Sequence, residues 1–453
     1  MTSQLGRHAV VIGGSMAGLM TARVLADHFA RVTVIERDSI PEGPVPHKSV
    51  PQGHHLHVLL VGGEQVLSSL YPGFAERLCE LGAVRWRIGK EGAFVRPDGK
   101  TYTSALGTVR EPRDLGLDAF NQSRGLIEHC VRQFTRATPG IAFETESAVQ
   151  ALIHENGRVR GVRHGKPGDS RSVEADLVVD TSGRGSRTPR WLAELGYPAP
   201  EETAIGCDLA YASTRFRVPD ACEERERLLG FFGPAPDYPN GAMVTWIENN
   251  LWQVTLAGRF GQFPPTDEAG FLAFAKALHS PKLHDLIKDA ERVTDIVPYR
   301  YPSSVHRHYE RLAAFPAGYL VLGDAICNFN PVYGQGMSSA AQQARALQQL
   351  LKEPAALEKG LDGLAPAFFG KTAQVVAAPW TFAASADLAY PQTTGDRSGL
   401  SKEGAAYLAA VGELVSDDPE VHKLVVQVQH LATPMSTLFE EPLRSRVAAR
   451  MAN

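Results

Sequence analysis

Apolar and polar positions change period several times along the chain. HAVVIGG is apolar and β-branched, SMAGLMTARVLADHFA spaces its apolar residues three and four apart, and RVTVIER is again strand-like. Strand, glycine turn, helix and strand make a βαβ unit, which predicts the opening of a parallel sheet. DSIPEGPVPHKSVPQGHH, with Pro41, Pro44, Pro46 and Pro51, reads as loop. LHVLLVGGEQVLSSLYPGF then resumes a helical pattern that Gly62 and Gly63 are expected to interrupt.

NQSRGLIEHCVRQFT (121–135) predicts a helix, and ESAVQALIHENGRVRGVRHG predicts a hairpin turning at Asn156-Gly157. DLVVDTSG is a buried strand entering a glycine turn. Between about 205 and 305 the runs GCDLAYASTRFRV, RLLGFFG, GAMVTWIEN and LWQVTLAG predict an antiparallel sheet, with one turn at Asn249-Asn250. GYLVLGDA returns to a buried parallel-type strand, followed by the helix QGMSSAAQQARALQQLL. The pattern predicts an α/β chain. A discontinuous Rossmann-type domain takes 1–75, 117–192 and 305–355, an antiparallel-sheet substrate domain takes 76–116 and 193–304, and a helical region takes 356–453.

With 453 residues the chain is long enough for two or three packed subregions. The formal charge of -4, from 46 basic and 50 acidic residues, argues against a nucleic-acid partner. Cys79, Cys130, Cys207, Cys222 and Cys327 are odd in number and contain no Cys-x-x-Cys pair, which argues against a disulfide framework or zinc ribbon. The first strand-like run begins by His8, leaving no room for a signal peptide, and the uncharged stretch 372–386 is broken by polar residues and Pro379. A cytoplasmic protein with no membrane span is expected.

Gly13-Gly14-Ser15-Met16-Ala17-Gly18 lies between the first strand and helix, where a dinucleotide fingerprint places pyrophosphate at a helix N-terminus. Ser15 stands at the middle glycine position, with a hydroxyl able to donate to phosphate. Glu36, at the end of the second strand, suits ribose hydroxyls. Leu322-Gly323-Asp324-Ala325 and Asn330-Pro331-Val332-Tyr333-Gly334-Gln335-Gly336-Met337 combine a strand-end acid for a polyol chain with free amides at a helix start. His54, His55 and His57 have no carboxylate or cysteine nearby in sequence, so no metal is expected there. His306 and His308, flanking Arg307 in a polar stretch, are expected at the surface. Trp246 and Trp252 are read as core, with substrate contact as the alternative.

GGSMAG with Glu36-Arg37, DTSGRGSR and GDA…NPVYGQGM together resemble the FAD-dependent monooxygenases of the p-hydroxybenzoate hydroxylase group. KSVPQGHHLHVLL and FNPVYGQGMSSA are most similar to bacterial flavoprotein epoxidases of polyether biosynthesis. The resemblance spans roughly residues 8–350. It implies an FAD-binding Rossmann-type domain in which Gly13 to Gly18 cradle the pyrophosphate, while Glu36 and Arg37 hold the adenosine part. It also implies that Arg124 meets the phosphates, Lys48 and Gln52 approach the flavin edge, Asp324 binds the ribityl chain, and Pro331, Gly334, Gln335, Gly336 and Met337 line the pyrimidine side.

The implied reaction uses O2 and C4a-hydroperoxyflavin to put one oxygen into a lipophilic small molecule, most readily by alkene epoxidation. NAD(P)H is the ultimate donor, directly or through a separate flavin reductase. Aromatic hydroxylation, a geranylgeranyl-reductase-like reaction and a carrier without flavin remain alternatives. No catalytic acid or base is assigned. The sequence departs from the group at Ser182, where an acid is usual after the strand, while Arg187 matches. The walls of the substrate space are sought among Phe231, Phe232, Met243, Trp246 and Trp252, although strand parity does not say which of them point inward.

Overall fold

A computed structural model of the protein describes residues 4–48, 50–103, 109–166, 168–353, 360–399 and 401–452. Its nucleotide-type half is an all-parallel sheet of five strands in the spatial order Tyr319–Val321, Leu177–Asp180, Gly6–Ile12, Phe29–Ile35 and Ile141–Glu144. These strands are covered on their faces, which is why they read as near-continuous apolar runs. The helix Met16–Ala26 packs against the helix Gly336–Leu350, so two segments remote in sequence share one layer.

The expected hairpin forms from Ala148–Glu155 and Arg158–Gly165, with positive φ at Asn156 (50°) and Gly157 (78°). A third strand, Arg171–Glu174, extends it. Gly62 and Gly63 do not interrupt the next helix; they open it as part of Val61–Leu70. Close approach is the reason. A Cβ on Gly62 would lie 2.0 Å from the Leu431 carbonyl oxygen, and one on Gly63 would lie 2.4 Å from the Ser338 hydroxyl.

The second large sheet has eight strands. Its third strand, Glu202–Arg217, pairs antiparallel with Leu251–Arg259 and Val297–Arg307, and Gly241–Ile247 and Leu228–Phe232 continue the antiparallel order. Gly92–Val95 is an exception, joining Leu228–Phe232 in parallel. Two helices, Glu268–Lys276 and Lys282–Ile287, lie inside the stretch read as strands only. They cover one face of the sheet, where Phe216, Phe231, Trp252, Leu256 and Phe271 form an apolar core. The segment 76–116 contributes to two sheets, because Val84–Arg87 pairs with Asp118–Asn121 in a separate three-stranded sheet.

The tail is helical over Leu364–Leu388, Lys402–Asp417, Pro419–Gln429 and Leu443–Met451. The boundary expected at 355/356 falls outside the described residues. Among those described, no helix is long and apolar enough to cross a membrane.

Candidate active site

Three glycine turns converge at the carboxyl ends of neighbouring parallel strands, the crevice where open α/β sheets take ligands. Gly13 has φ +104°, and a Cβ there would meet the Thr181 carbonyl oxygen at 3.0 Å. On Gly18 a Cβ would sit 1.9 Å from the Gly13 carbonyl oxygen, so the helix reaches its strand only with glycine at that position. Gly323 has φ +77°, and its Cβ would lie 3.0 Å from Ala17 Cβ. The Gly-Asp signature is therefore packed directly on the first glycine turn.

Glu36 is buried; its carboxylate accepts from the amides of Gly14 (2.8 Å) and Asp38 (3.0 Å). Arg37 is exposed beside Asp38. Met16 turns its side chain into the core, leaving only its backbone toward the crevice. The Ser15 hydroxyl donates to Glu128 Oε2 at 2.9 Å.

Arg124, far from being solvated, is buried. Its guanidinium meets Glu128 Oε2 at 2.7 Å and donates to Ser15 Oγ at 3.0 Å. Glu128 Oε1 also faces Arg132 and His47, each at 3.5 Å. One carboxylate thus serves two guanidiniums, and the surplus positive charge lies beside the N-terminus of Met16–Ala26.

Asp324 lies at the start of Gly336–Leu350; a Cβ on Gly336 would be 3.8 Å from Asp324 Oδ1. Burial pushes its carboxyl up to about 6, opposed by Arg124 and Arg184. Among the described residues, no protein donor is hydrogen-bonded to it. Asp180, one turn away, is spent on structure: its carboxylate accepts from the Ser182 amide (2.8 Å), Ser186 (2.5 Å) and Thr188 (2.6 Å). Ser182 and Arg187 are exposed, with the Arg187 guanidinium over the Trp191 ring.

The segment Asn330 to Gln335 is one short helical turn, Pro331–Tyr333, closed by Gly334 at φ +66°. The helix Leu364–Leu388 anchors it. Asp387 accepts from Asn330 Nδ2 at 2.8 and 3.1 Å and from the Tyr333 hydroxyl at 2.8 Å, and it pairs with Arg259 at 2.9 Å. Burial raises the Asp387 carboxyl, and Arg259 opposes the shift. Gln335 is buried, with Oε1 unpaired among the described residues.

Beside Pro331 and Val332 opens a largely apolar cleft that encloses about 510 Å³ of atom-free space, its mouth included. Gln52, His55, Tyr211, Met243, Thr255 and Tyr299 contribute to its walls. Strand alternation divides the residues that sequence left open. Phe232 and Met243 face the cleft, while Phe231, Trp252 and Trp246 belong to the core on the opposite face. Lys48 is exposed on the preceding loop and does not join these walls. Burial lowers His55 to about 4 and His57 to about 3, with Arg124 adding to the latter, so both rings are neutral near pH 7.

His306 and His308 are buried, not at the surface: the strand Val297–Arg307 carries His306 against Trp380, and His308, just past the strand's end, packs on the His306 ring at a centroid distance of 4.1 Å. With Glu310 they bring possible ligand atoms within 4.8 Å of one another, but both His308 nitrogens are engaged, by Thr203 at 2.7 Å and Glu310 at 2.9 Å.

Glu128, Arg259, Asp387, Tyr211, Ser213 and Thr255 were not singled out from sequence. Glu128 had a signal: on a predicted helix it stands four residues from both Arg124 and Arg132. Asp387 had a fainter one, as the acid that ends an uncharged run.

A model of the FAD binding domain family matches residues 73–210. The 6-methylpretetramide 4-monooxygenase of Streptomyces rimosus is 26% identical over 76% of this chain and 74% of its own length. Squalene epoxidase 2 of Arabidopsis thaliana is 23% identical over 77% of this chain, which spans only 54% of that protein. A flavoprotein/dehydrogenase structure from Cytophaga hutchinsonii superposes with a TM-score of 0.68 at 15% identity, covering 99% of both chains, and shows the shared fold. The fold, the crevice and these relatives define an FAD-dependent monooxygenase. More particularly, the chain is 32% identical to Protein Rv3254 of Mycobacterium tuberculosis over 87% of its own length and 84% of that protein, and it belongs to the same family.

Proposed function

We propose that this enzyme epoxidises an alkene in a lipophilic small molecule. The observation that carries the reading is the cleft beside Pro331 and Val332. Among the described residues, its lining contains no acid, lysine or arginine, and its two histidines, His55 and His57, are weak bases because burial lowers them to about 4 and about 3. Phenol hydroxylation gains from a group that deprotonates the ring hydroxyl, whereas alkene epoxidation needs orientation and exclusion of water. The squalene epoxidase relative is compatible with this chemistry, and the likeness to polyether epoxidases supports it.

FAD suits the residues present. Gly13 and Gly18 leave room for close backbone approach, Arg124 offers positive charge toward phosphate, and the unbonded Asp324 carboxylate suits ribityl hydroxyls. Glu36 takes the ribose, with Arg37 at the adenosine edge and Lys48 and Gln52 on the loop near the ring. Pro331, Gly334, Gln335, Gly336 and Met337 shape its pyrimidine side. When bound and reduced, the flavin activates O2 and supplies one electrophilic oxygen; the protein binds, orients and keeps water away. The three pieces of the nucleotide domain hold the cofactor, and the eight-stranded sheet roofs the substrate.

Incubation with a polyene and labelled O2 should yield a product with one labelled epoxide oxygen, whereas exclusive turnover of phenols overturns the proposal. Electrons come from NAD(P)H. With Ser182 exposed where the group carries an acid, and no second dinucleotide fingerprint, direct reduction by NADPH should be slow without substrate or a partner reductase. Stopped-flow bleaching of the free enzyme under anaerobic conditions measures it, and rapid bleaching by NADPH alone contradicts it.

A further inference from the structure

His55 is a ring held from one side only. Its Nδ1 lies 2.7 Å from Ser213 Oγ, and Ser213 Oγ lies 2.7 Å from Thr255 Oγ1, which accepts the Leu56 amide at 3.2 Å. His55 and Thr255 both face the cleft. The ring is buried at 5% exposure, flanked by Tyr211 and Tyr299 at centroid distances of 5.9 and 5.4 Å. Its Nε2, on the side of the ring away from Ser213, has no partner among the described residues.

The hydrogens in this chain can be allocated. Thr255 and Ser213 each have one hydroxyl hydrogen, and a neutral imidazole has one N–H. If Nδ1 carried it, Nδ1 would donate to Ser213 and Ser213 to Thr255. The Thr255 hydrogen would then have no acceptor and the buried Nε2 no donor among the described residues, two unmatched groups against one, Nε2–H, when Nδ1 is bare. If Nδ1 is bare, Thr255 donates to Ser213 and Ser213 to Nδ1, and both hydroxyl hydrogens are used. The ring hydrogen then sits on Nε2, a buried donor turned away from the sheet. Burial keeps the ring neutral near pH 7, consistent with this single-hydrogen count. A buried donor with no acceptor is costly, so such a group is ordinarily matched by whatever occupies the site.

We infer that His55 reads the substrate through Nε2–H, and that the substrate is therefore an apolar molecule carrying a hydrogen-bond acceptor oxygen, a carbonyl or an ether, rather than a pure hydrocarbon. This rests on the reading of the cleft as the site of a lipophilic substrate and narrows its class. The acceptor fixes one end of a flexible molecule, and the apolar walls formed by Phe232 and Met243 hold the remainder.

The test uses the FAD-loaded enzyme and two probes, a polyene methyl ketone and a hydrocarbon polyene of equal length, titrated by the flavin absorbance difference spectrum. The wild type should bind the ketone at least about tenfold more tightly, since a site built to donate a hydrogen bond discriminates against a ligand lacking the acceptor. His55→Phe keeps a ring but removes both nitrogens and should bring the two probes within about twofold. His55→Gln retains an N–H donor and should restore the preference, which a merely structural role would not do. Flavin content and melting temperature of each variant establish that it is folded. Equal binding of the two probes by the wild type, or an undiminished preference in His55→Phe, overturns the inference while leaving the lipophilic reading standing. If neither probe perturbs the flavin at saturation, the lipophilic reading itself falls, and the inference with it. Nitrogen-15 spectra assigned with the His55→Gln variant provide a ligand-free check: Nε2 should carry the hydrogen, and an Nδ1-protonated ring overturns the inference.

Discussion

Two buried assemblies of arginine and carboxylate lie at opposite ends of the crevice, and they are built differently. At the first glycine turn, Glu128 faces both Arg124 and Arg132, all three on one helix at spacings of four residues, and a net positive charge is left over. Beside the Pro331 loop, Asp387 meets a single guanidinium, Arg259, and also accepts from Asn330 and Tyr333, so the two charges cancel within the assembly. An assembly with surplus charge invites an anion. One whose charges cancel holds chain segments in place, here joining the helix Leu364–Leu388, the loop and the eight-stranded sheet.

The comparison breaks most visibly at the closed assembly. Arg259→Met leaves Asp387 buried without a counter-charge and should cost about 3 to 5 kcal/mol in urea unfolding, with much of the loss regained in Arg259→Met/Asp387→Leu. A single-variant cost under about 1 kcal/mol would mean that the pair is not a sealed unit. Next in size is Asp324→Ala, which should purify folded but poor in flavin, losing about 1.5 to 3 kcal/mol of FAD binding by removing a charged hydrogen-bond acceptor. Normal flavin content in that variant would refute the ribityl assignment. Glu128→Gln sharpens the contrast. The apoprotein should lose roughly 1 to 3 kcal/mol, and saturating FAD should recover part of it, because phosphate can answer the exposed arginines. The melting-temperature gain on adding FAD should therefore be larger in the variant than in the wild type.

The last effect is one of pH. Burial raises Asp324 from 3.8 to about 6, so the folded apoprotein holds this proton more tightly than the unfolded chain. Its contribution to stability is fully present below the unfolded value and is lost as pH rises through the folded one. Relative to the non-titrating Asp324→Asn, the melting temperature of wild-type apoprotein should fall between pH 4 and 6.5 and then level off. A difference independent of pH would show that the carboxyl does not titrate in that window.

The same contrast separates what was legible in the chain from what was not. The βαβ opening, the helix Arg124–Ala137, the Asn156-Gly157 turn and the Asn249-Asn250 turn were readable because hydrophobic period, capping and turn chemistry act over a few residues. The glycine turn with Glu36, and Asp324 with the glycines after it, were readable because backbone conformation and close approach restrict the residue type. Parity could not be assigned: Phe231 and Phe232 are equally apolar, yet one enters the core and the other the cleft, because register depends on which strand lies alongside. Nor could His306 and His308 be placed, since a polar stretch is buried only by the element that packs on it, here the helix carrying Trp380.

By itself, then, the sequence determined the parallel nucleotide sheet and its glycine turns, set by local backbone rules, while FAD as the cofactor came from the resemblance that its motifs carry. Tertiary structure alone decided that Asp387 holds Asn330, that Glu128 claims the Ser15 hydroxyl, and that His55 hangs from Ser213 over the cleft. Those contacts join residues remote along the chain, and their existence depends on the relative placement of whole elements, which no local pattern encodes.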